Sequence, residues 1–243
     1  VDYVTIASTG NATDFGNLTE SRSRNSGCND STRAICAGGN PFTDTIDYAT
    51  IQSVGNYVDF GNLTDDRYGA GGMASPTRGV FTGGNANPVY TNIIDYITIS
   101  TTGNAADFGD MANAAGGGGD CGDGIYALFA GGRYSPYAGW AGQNRIESIN
   151  VFTTGNGTSF GALTSKRTNG PAGAHGETRG LFAGGTGAPP SPGTKNEIAY
   201  VTIQTASNTT DFGDLTQQRQ QMGSCSNFTR AVFGGGTSPS NVN

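Results

Sequence analysis

Lysine is almost missing from this 243-residue chain, at Lys166 and Lys195 only, and histidine and tryptophan occur once each. A single histidine, His175, leaves little room for a histidine-based triad or a zinc site. No apolar run approaches the ~20 residues needed to cross a bilayer, so no membrane insertion is expected. No signal peptide is visible, and the chain starts at Val1 inside what reads as a strand, as an excised or processed segment would. Basic residues number 13 against 19 acidic ones, giving a net charge of -6. Such a surface repels phosphate backbones and speaks against a nucleic-acid partner. What abounds is glycine, at 41 residues, with much Thr, Asn and Ser. That composition disfavours long helices and suits tightly turned sheet, while 35% apolar residues suffice for a core.

The chain repeats itself. "TDFGNLT" around Phe15 returns as "VDFGNLT" at Phe60, "ADFGDMA" at Phe108, "TSFGALT" at Phe160 and "TDFGDLT" at Phe212, at intervals of 45, 48, 52 and 52 residues. Passing from Phe212 through Asn243 and back to Phe15 takes 46, so five whole periods are present, as a ring closed on itself requires. Each period holds a strand with alternation ("VDYVTI", "IDYATI", "IDYITI", "IESINV", "IAYVTI") and a turn at Gly10-Asn11, Gly55-Asn56, Gly103-Asn104, Gly155-Asn156 or Ser207-Asn208. The "DFG" strand, a small-residue stretch and a strand such as "TRGVFTGG" ending in a glycine pair follow. Four short strands per ~45 residues make one propeller blade. The expected fold is all-β: a single-domain five-bladed β-propeller with four antiparallel strands per blade and repeats near 1–45, 46–93, 94–145, 146–197 and 198–243. The chain starts at the third strand of a blade and stops after the second. Its N-terminal strands are therefore expected to pair with its C-terminal ones and remove the open edges.

This order of pieces resembles the kelch repeat of galactose-oxidase-like β-propellers, with Phe15, Phe60, Phe108, Phe160 and Phe212 where kelch repeats usually carry Trp. The "YVTI…GNATDFG…TRGVF" style is also similar to repeat proteins among virion structural proteins of marine bacteriophages. That resemblance implies a virion or extracellular, cell-surface location and other assembly proteins, or further copies of this chain, as partners.

Cys28, Cys121 and Cys225 share one repeat position with Met73 and Ala174, which marks a packing site, and four free, buried thiols are expected. "DFG" occurs five times without the other kinase motifs, so Phe is expected to pack between blades and Asp to cap a turn. "GGGGD" before Cys121 lacks a following Lys-Ser or Lys-Thr and reads as a crowded inner strand rather than a phosphate loop. No metal or cofactor is called for.

Eight of the 13 basic residues are locked to the repeat: Arg22, Arg67, Arg167 and Arg219, and Arg33, Arg78, Arg179 and Arg230; the third repeat has Ala115 and Tyr126 instead. They either satisfy carbonyls and pair with repeat-locked acids, the set Asp2, Asp47, Asp95, Glu147 or the set Asp14, Asp59, Asp107, Asp211, or else form repeated carboxylate or glycan sites. The acids Asp120, Asp123 and Glu177 are scattered, and no convergent catalytic pair emerges. Loops after each glycine pair vary most and concentrate Tyr90, Arg133, Tyr134, Tyr137 and Trp140, the expected contact residues together with the first arginine set. Asn11, Asn17, Asn29, Asn62, Asn156, Asn208 and Asn227 form sequons that the Asn and Thr content alone explains. The reading is a non-enzymatic structural or adhesive module contacting protein or glycan through its loop face. Alternatives are a lectin with repeated sites and, behind it, a glycoside hydrolase.

Overall fold

A computed structural model describes residues 1–134, 141–238 and 240–241. Among them there is no helix. Four antiparallel sheets follow one another along the chain, three of four strands each and one, the third, built on four strands and extended to eight. The first is Ser26–Asn29, Arg33–Gly39, Thr43–Thr50 and Val58–Asn62; the second is Gly71–Ala74, Arg78–Thr82, Ile93–Thr98 and Ala106–Asp110. The third is Gly119–Gly122, Tyr126–Ala130, Ala141–Asn150 and Thr158–Asn169; the fourth is Ala172–His175, Arg179–Ala183, Glu197–Thr202 and Thr210–Asp214. The two long strands of the third sheet run on to pair with Arg133–Tyr134 and Thr186–Gly187, curling it into a larger sheet. Sequence placed only loops there.

The apolar residues lie between sheets. Ile35, Ile46 and Phe60 of the first meet Phe81, Ile97 and Ile99 of the second. Val80, Ile94 and Phe108 meet Phe129, Ile149 and Val151, and Leu128, Ile146 and Phe160 meet Phe182, Val201 and Ile203. Each joint buries several large side chains, at ~1.5–3 kcal/mol apiece. The arrangement is propeller-like: sheets stacked face to face, innermost strands turned to a common cavity of about 620 Å³ that Gly27, Gly72, Gly119, Gly173 and Ser224 help to line.

The "DFG" motif is explained by this stacking. In the second sheet Asp107 pairs with Asp95 and Gly109 with Ile94, leaving Phe108 as the extra residue of a β-bulge; the same shift surrounds Phe60, Phe160 and Phe212. The bulge turns Phe into the core, and Asp14, Asp107 and Asp211 accept from the N–H of the following glycine. That glycine, at φ +144° in Gly61, lies so close to the next turn that a Cβ would sit 2.4 Å from the Gly103 carbonyl oxygen. Phe60 O in turn accepts from Gly103 N at 2.8 Å.

The expected union of the chain ends is not formed. Gly223–Ser226 with Ala231–Gly234 is one two-stranded sheet and Asp2–Tyr3 with Thr13–Asp14 another, and among the described residues neither pairs with the other. The N-terminal hairpin docks on the first sheet just as a preceding sheet would: Gly55 N donates to Phe15 O at 2.9 Å, and Phe15 packs on Tyr57. All four cysteines are free, but only Cys121 is fully buried; Cys225 is exposed because its strand borders the unfilled seam. Cys28 and Cys121 point their sulfurs at Gly79 and Gly180 of the neighbouring sheets, and burial pushes both thiols well above their ordinary range.

Candidate contact site on the loop face

The first arginine set is spent on architecture. The Nη2 of Arg22 donates to Asp47 at 2.9 Å, that of Arg67 to Asp95 at 2.7 Å and that of Arg167 to Glu197 at 2.8 Å, with arginine side chains 1%, 0% and 3% exposed. Of the two acid sets offered by sequence, the structure uses the first for Asp47 and Asp95. In the fourth sheet Ala199 occupies that slot, and the preceding Glu197 substitutes. Burial works to raise the Glu197 carboxyl, but the Thr164 hydroxyl and Arg167 outweigh it and hold it below its ordinary value. Arg219 is half-buried and makes no ion pair among the described residues. Three of the second set stack instead: Arg33 over Tyr48, Arg78 over Tyr96 and Arg179 over Tyr200, at 4.6, 4.8 and 4.6 Å.

Two residues downstream of the first set, the chain turns toward the common axis. Arg24, Gly69, Gly117, Asn169 and Gln221, one from each repeat, line a single cavity of about 340 Å³ at the loop-face end. Arg24, Gly69, Gly117 and Gln221 all have left-handed φ, between 55° and 65°. Backbone bonds link the positions: Gly69 N to Arg24 O at 2.9 Å, Gly117 N to Gly69 O at 2.9 Å and Gly170 N to Gly117 O at 2.5 Å. This rigid collar fixes the mouth without long side chains.

Tyr90 and Arg133 also line the mouth, so the structure brings together two of the residues singled out by sequence. Tyr134 is half-buried in a strand paired with Ala115–Gly116 and does not line it. Tyr137 and Trp140 lie outside the described residues. Sequence reasoning missed Arg24, which lies over the Tyr68 ring at 5.4 Å, and the amides of Asn25, Asn169 and Gln221. The offset of two from the repeat-locked arginine was the signal available. Among the described residues the wall of the mouth has two guanidinium groups and no carboxylate, a basic spot on an acidic chain.

The three acids weighed as catalytic, Asp120, Asp123 and Glu177, do not converge, although Asp120 shares a small cavity with Glu147. Asp123 caps a turn by accepting from the N–H of Ile125 and Tyr126. Burial opposes its ionisation, but those donors and Gln204 hold its carboxyl below the usual range. Glu177 is exposed on a turn, and only Asp120 lines a cavity. Burial pushes the Asp120 carboxyl up to about 7, against a single long bond of 3.3 Å from Gly72 N. His175 lines the axial cavity, and among the described residues no three His, Cys, Asp or Glu side chains cluster as metal ligands would.

No protein-family model matches the chain, and no curated protein matches it. Solved structures do: YjhT superposes with a TM-score of 0.77 at 10% identity, over 91% of this chain and 74% of that one. At that identity the likeness shows a shared fold: this chain is an all-β protein of propeller-like architecture.

Proposed function

We propose that the chain closes into a five-bladed propeller and serves as a non-enzymatic structural or adhesive module of a virion or other extracellular assembly, contacting protein or glycan through the loop-face mouth. One observation carries this reading: five equivalent residues, one per repeat, meet at one rigid, basic, aromatic-rimmed mouth, while Arg22, Arg67 and Arg167 are consumed in buried ion pairs. A cavity of this volume is within the range that small ligands occupy. Arg24, lying over the Tyr68 ring, favours an anionic group on the partner, and Tyr90 adds an aromatic ring to the rim.

Closure is supported by what the two ends lack. Among the described residues Arg219 has no acid and exposed Asp2 no arginine; Arg230 has no tyrosine beneath it, and Tyr3 no arginine above. The pairing of the first sheet, Cys36 with Asp47 and Ile35 with Tyr48, transfers by the repeat to Phe233 with Asp2 and Val232 with Tyr3. Cysteines placed at positions 3 and 232 are expected to form an intramolecular disulfide in a monomer. Cross-linking only between copies, or none at all, overturns closure.

For the function, Arg24→Ala and Tyr90→Ala are expected to reduce binding to a glycan array or to co-expressed virion proteins at least tenfold. An array signal without any assembly partner favours the lectin. Turnover of a glycoside that Asp120→Asn abolishes would sink the non-enzymatic reading.

A further inference from the structure

The third repeat departs from the pattern at Tyr126 and around Glu147, and the second departure leaves a socket. The carboxylate of Asp95 in the second sheet receives three donors: Thr64 N at 3.1 Å, the Thr64 hydroxyl at 2.7 Å and the Arg67 guanidinium at 2.7 Å. Asp47 receives the same set from Thr19 and Arg22. Glu147 is their counterpart in the third sheet. Its donors stand at Ala112 and Ala115, and the backbone bonds prove the equivalence: Ala112 N donates to Glu147 at 2.9 Å, as Thr64 N does to Asp95, and Ala115 N to Thr91 O at 3.2 Å, as Arg67 N does to Thr43 O. Both side-chain donors, hydroxyl and guanidinium, are therefore deleted together.

The replacement within the chain is incomplete. Arg145 Nε comes within 2.9 Å of Glu147 Oε1, yet makes no hydrogen bond to it, and its side chain is 34% exposed where the other arginines are enclosed. Glu147 itself is buried, its side chain 6% exposed. Beside it lies a cavity that also touches Ala115, Asn113, Gln143 and Asp120. Its space for water-sized centres is about 30 Å³, where one water takes roughly 10–15 Å³. That suits two or three waters or the flat head of a guanidinium. The walls carry the Glu147 carboxylate, which faces the single charge of Arg145, and the carboxyl of Asp120. A buried carboxylate with a backbone donor on one oxygen and no aligned side-chain donor on the other favours a cation that brings several N–H groups in one plane.

We propose that this cavity is a binding site for a guanidinium group from outside the chain, held on Glu147 in the place that Arg67 fills in the second sheet. It goes beyond the proposed contact role and does not depend on the mouth. Guanidinium chloride at low millimolar concentration, far below denaturing levels, is the probe, with urea as the neutral isostere and sodium chloride as the salt control. Titration calorimetry is expected to show guanidinium binding at least tenfold tighter than urea, weakened at least tenfold in Glu147→Gln and abolished in Ala115→Arg, which fills the socket itself. N-acetylarginine amide as a second ligand separates the sources. Binding of it adds a partner's arginine side chain as an occupant, and its failure confines the site to the small ion. Guanidinium binding no better than urea, or equally well to Ala115→Arg, overturns the proposal. Should Ala115→Arg not fold, the loss in Glu147→Gln decides. Loss of glycan or protein binding at the mouth with guanidinium binding intact sinks the contact reading alone.

Discussion

The joints between consecutive sheets and the seam between the chain ends are built from the same repeat, yet they look nothing alike. At the joints Phe15, Phe60, Phe108 and Phe160 are 2–7% exposed; at the seam Phe212 is 53% exposed. Ile99, Val151 and Ile203 are at most 1% exposed where Ile6 is 99%, and Val80 is 0% where Val232 is 56%. Identical residue types thus owe their burial to a neighbour rather than to their own strand. Among the described residues the seam has no hydrogen-bonded ladder, Asp–Arg pair or Arg–Tyr stack, although the chain carries a residue for each half of them.

This contrast can be broken in order of effect. Deleting residues 1–14 takes away the segment proposed to complete the seam, and is expected to remove most of the roughly 5–15 kcal/mol margin of such a domain, seen as loss of a cooperative thermal transition. Phe60→Ala should cost about 3–5 kcal/mol in denaturant unfolding. Phe212→Ala should cost the same if the seam closes and under about 1 kcal/mol if it stays as open as its exposure implies. Arg67→Ala leaves Asp95 buried without its partner and should cost about 3–5 kcal/mol, whereas Arg219→Ala approaches that figure only when Asp2 reaches it. A Phe212 and an Arg219 that are both silent would show the ends remain apart.

The smallest effect is a pH slope. Asp120 has its folded value raised to about 7 from an ordinary 3.8, so the fold favours the neutral acid. Its contribution is complete below about pH 4 and is lost as pH rises through 7. The charged groups facing it are Glu147 and Arg145 in the small cavity, and His175 shares the axial one. Asp120→Asn is expected to flatten the fall in melting temperature between pH 4 and 7, a difference of about 1–2 kcal/mol after allowing for partial exposure. An unchanged slope would assign it to another group.

Much of the fold was legible because the repeat is. The five aromatic-glycine motifs located the outer strands, and their spacing located the turns. The pairing of Arg22 with Asp47 was legible as a choice between two acid sets, and only the bulge at Phe60, which offsets the strands by one residue, decided it. The extension of Thr158–Asn169 was not legible: "SKRTN" has no apolar alternation, and it is strand because Thr186–Gly187 pairs with it. The mouth was half legible. Tyr90 and Arg133 stood out by chemistry, whereas Gly69, Gly117 and Gln221 matter for where their left-handed backbone lies, which no side-chain pattern announces.

The close approach at Gly61 and its counterparts carries a last consequence. Main chain meets main chain there, through the carbonyl of Phe60 and the amide of Gly103, so this part of the coupling is indifferent to side-chain identity, unlike the apolar joint and the Arg67–Asp95 pair beside it. A point of contact fixed by backbone leaves the loops around it at liberty to differ, and the unequal repeat lengths of 45 to 52 residues in this chain fit that freedom.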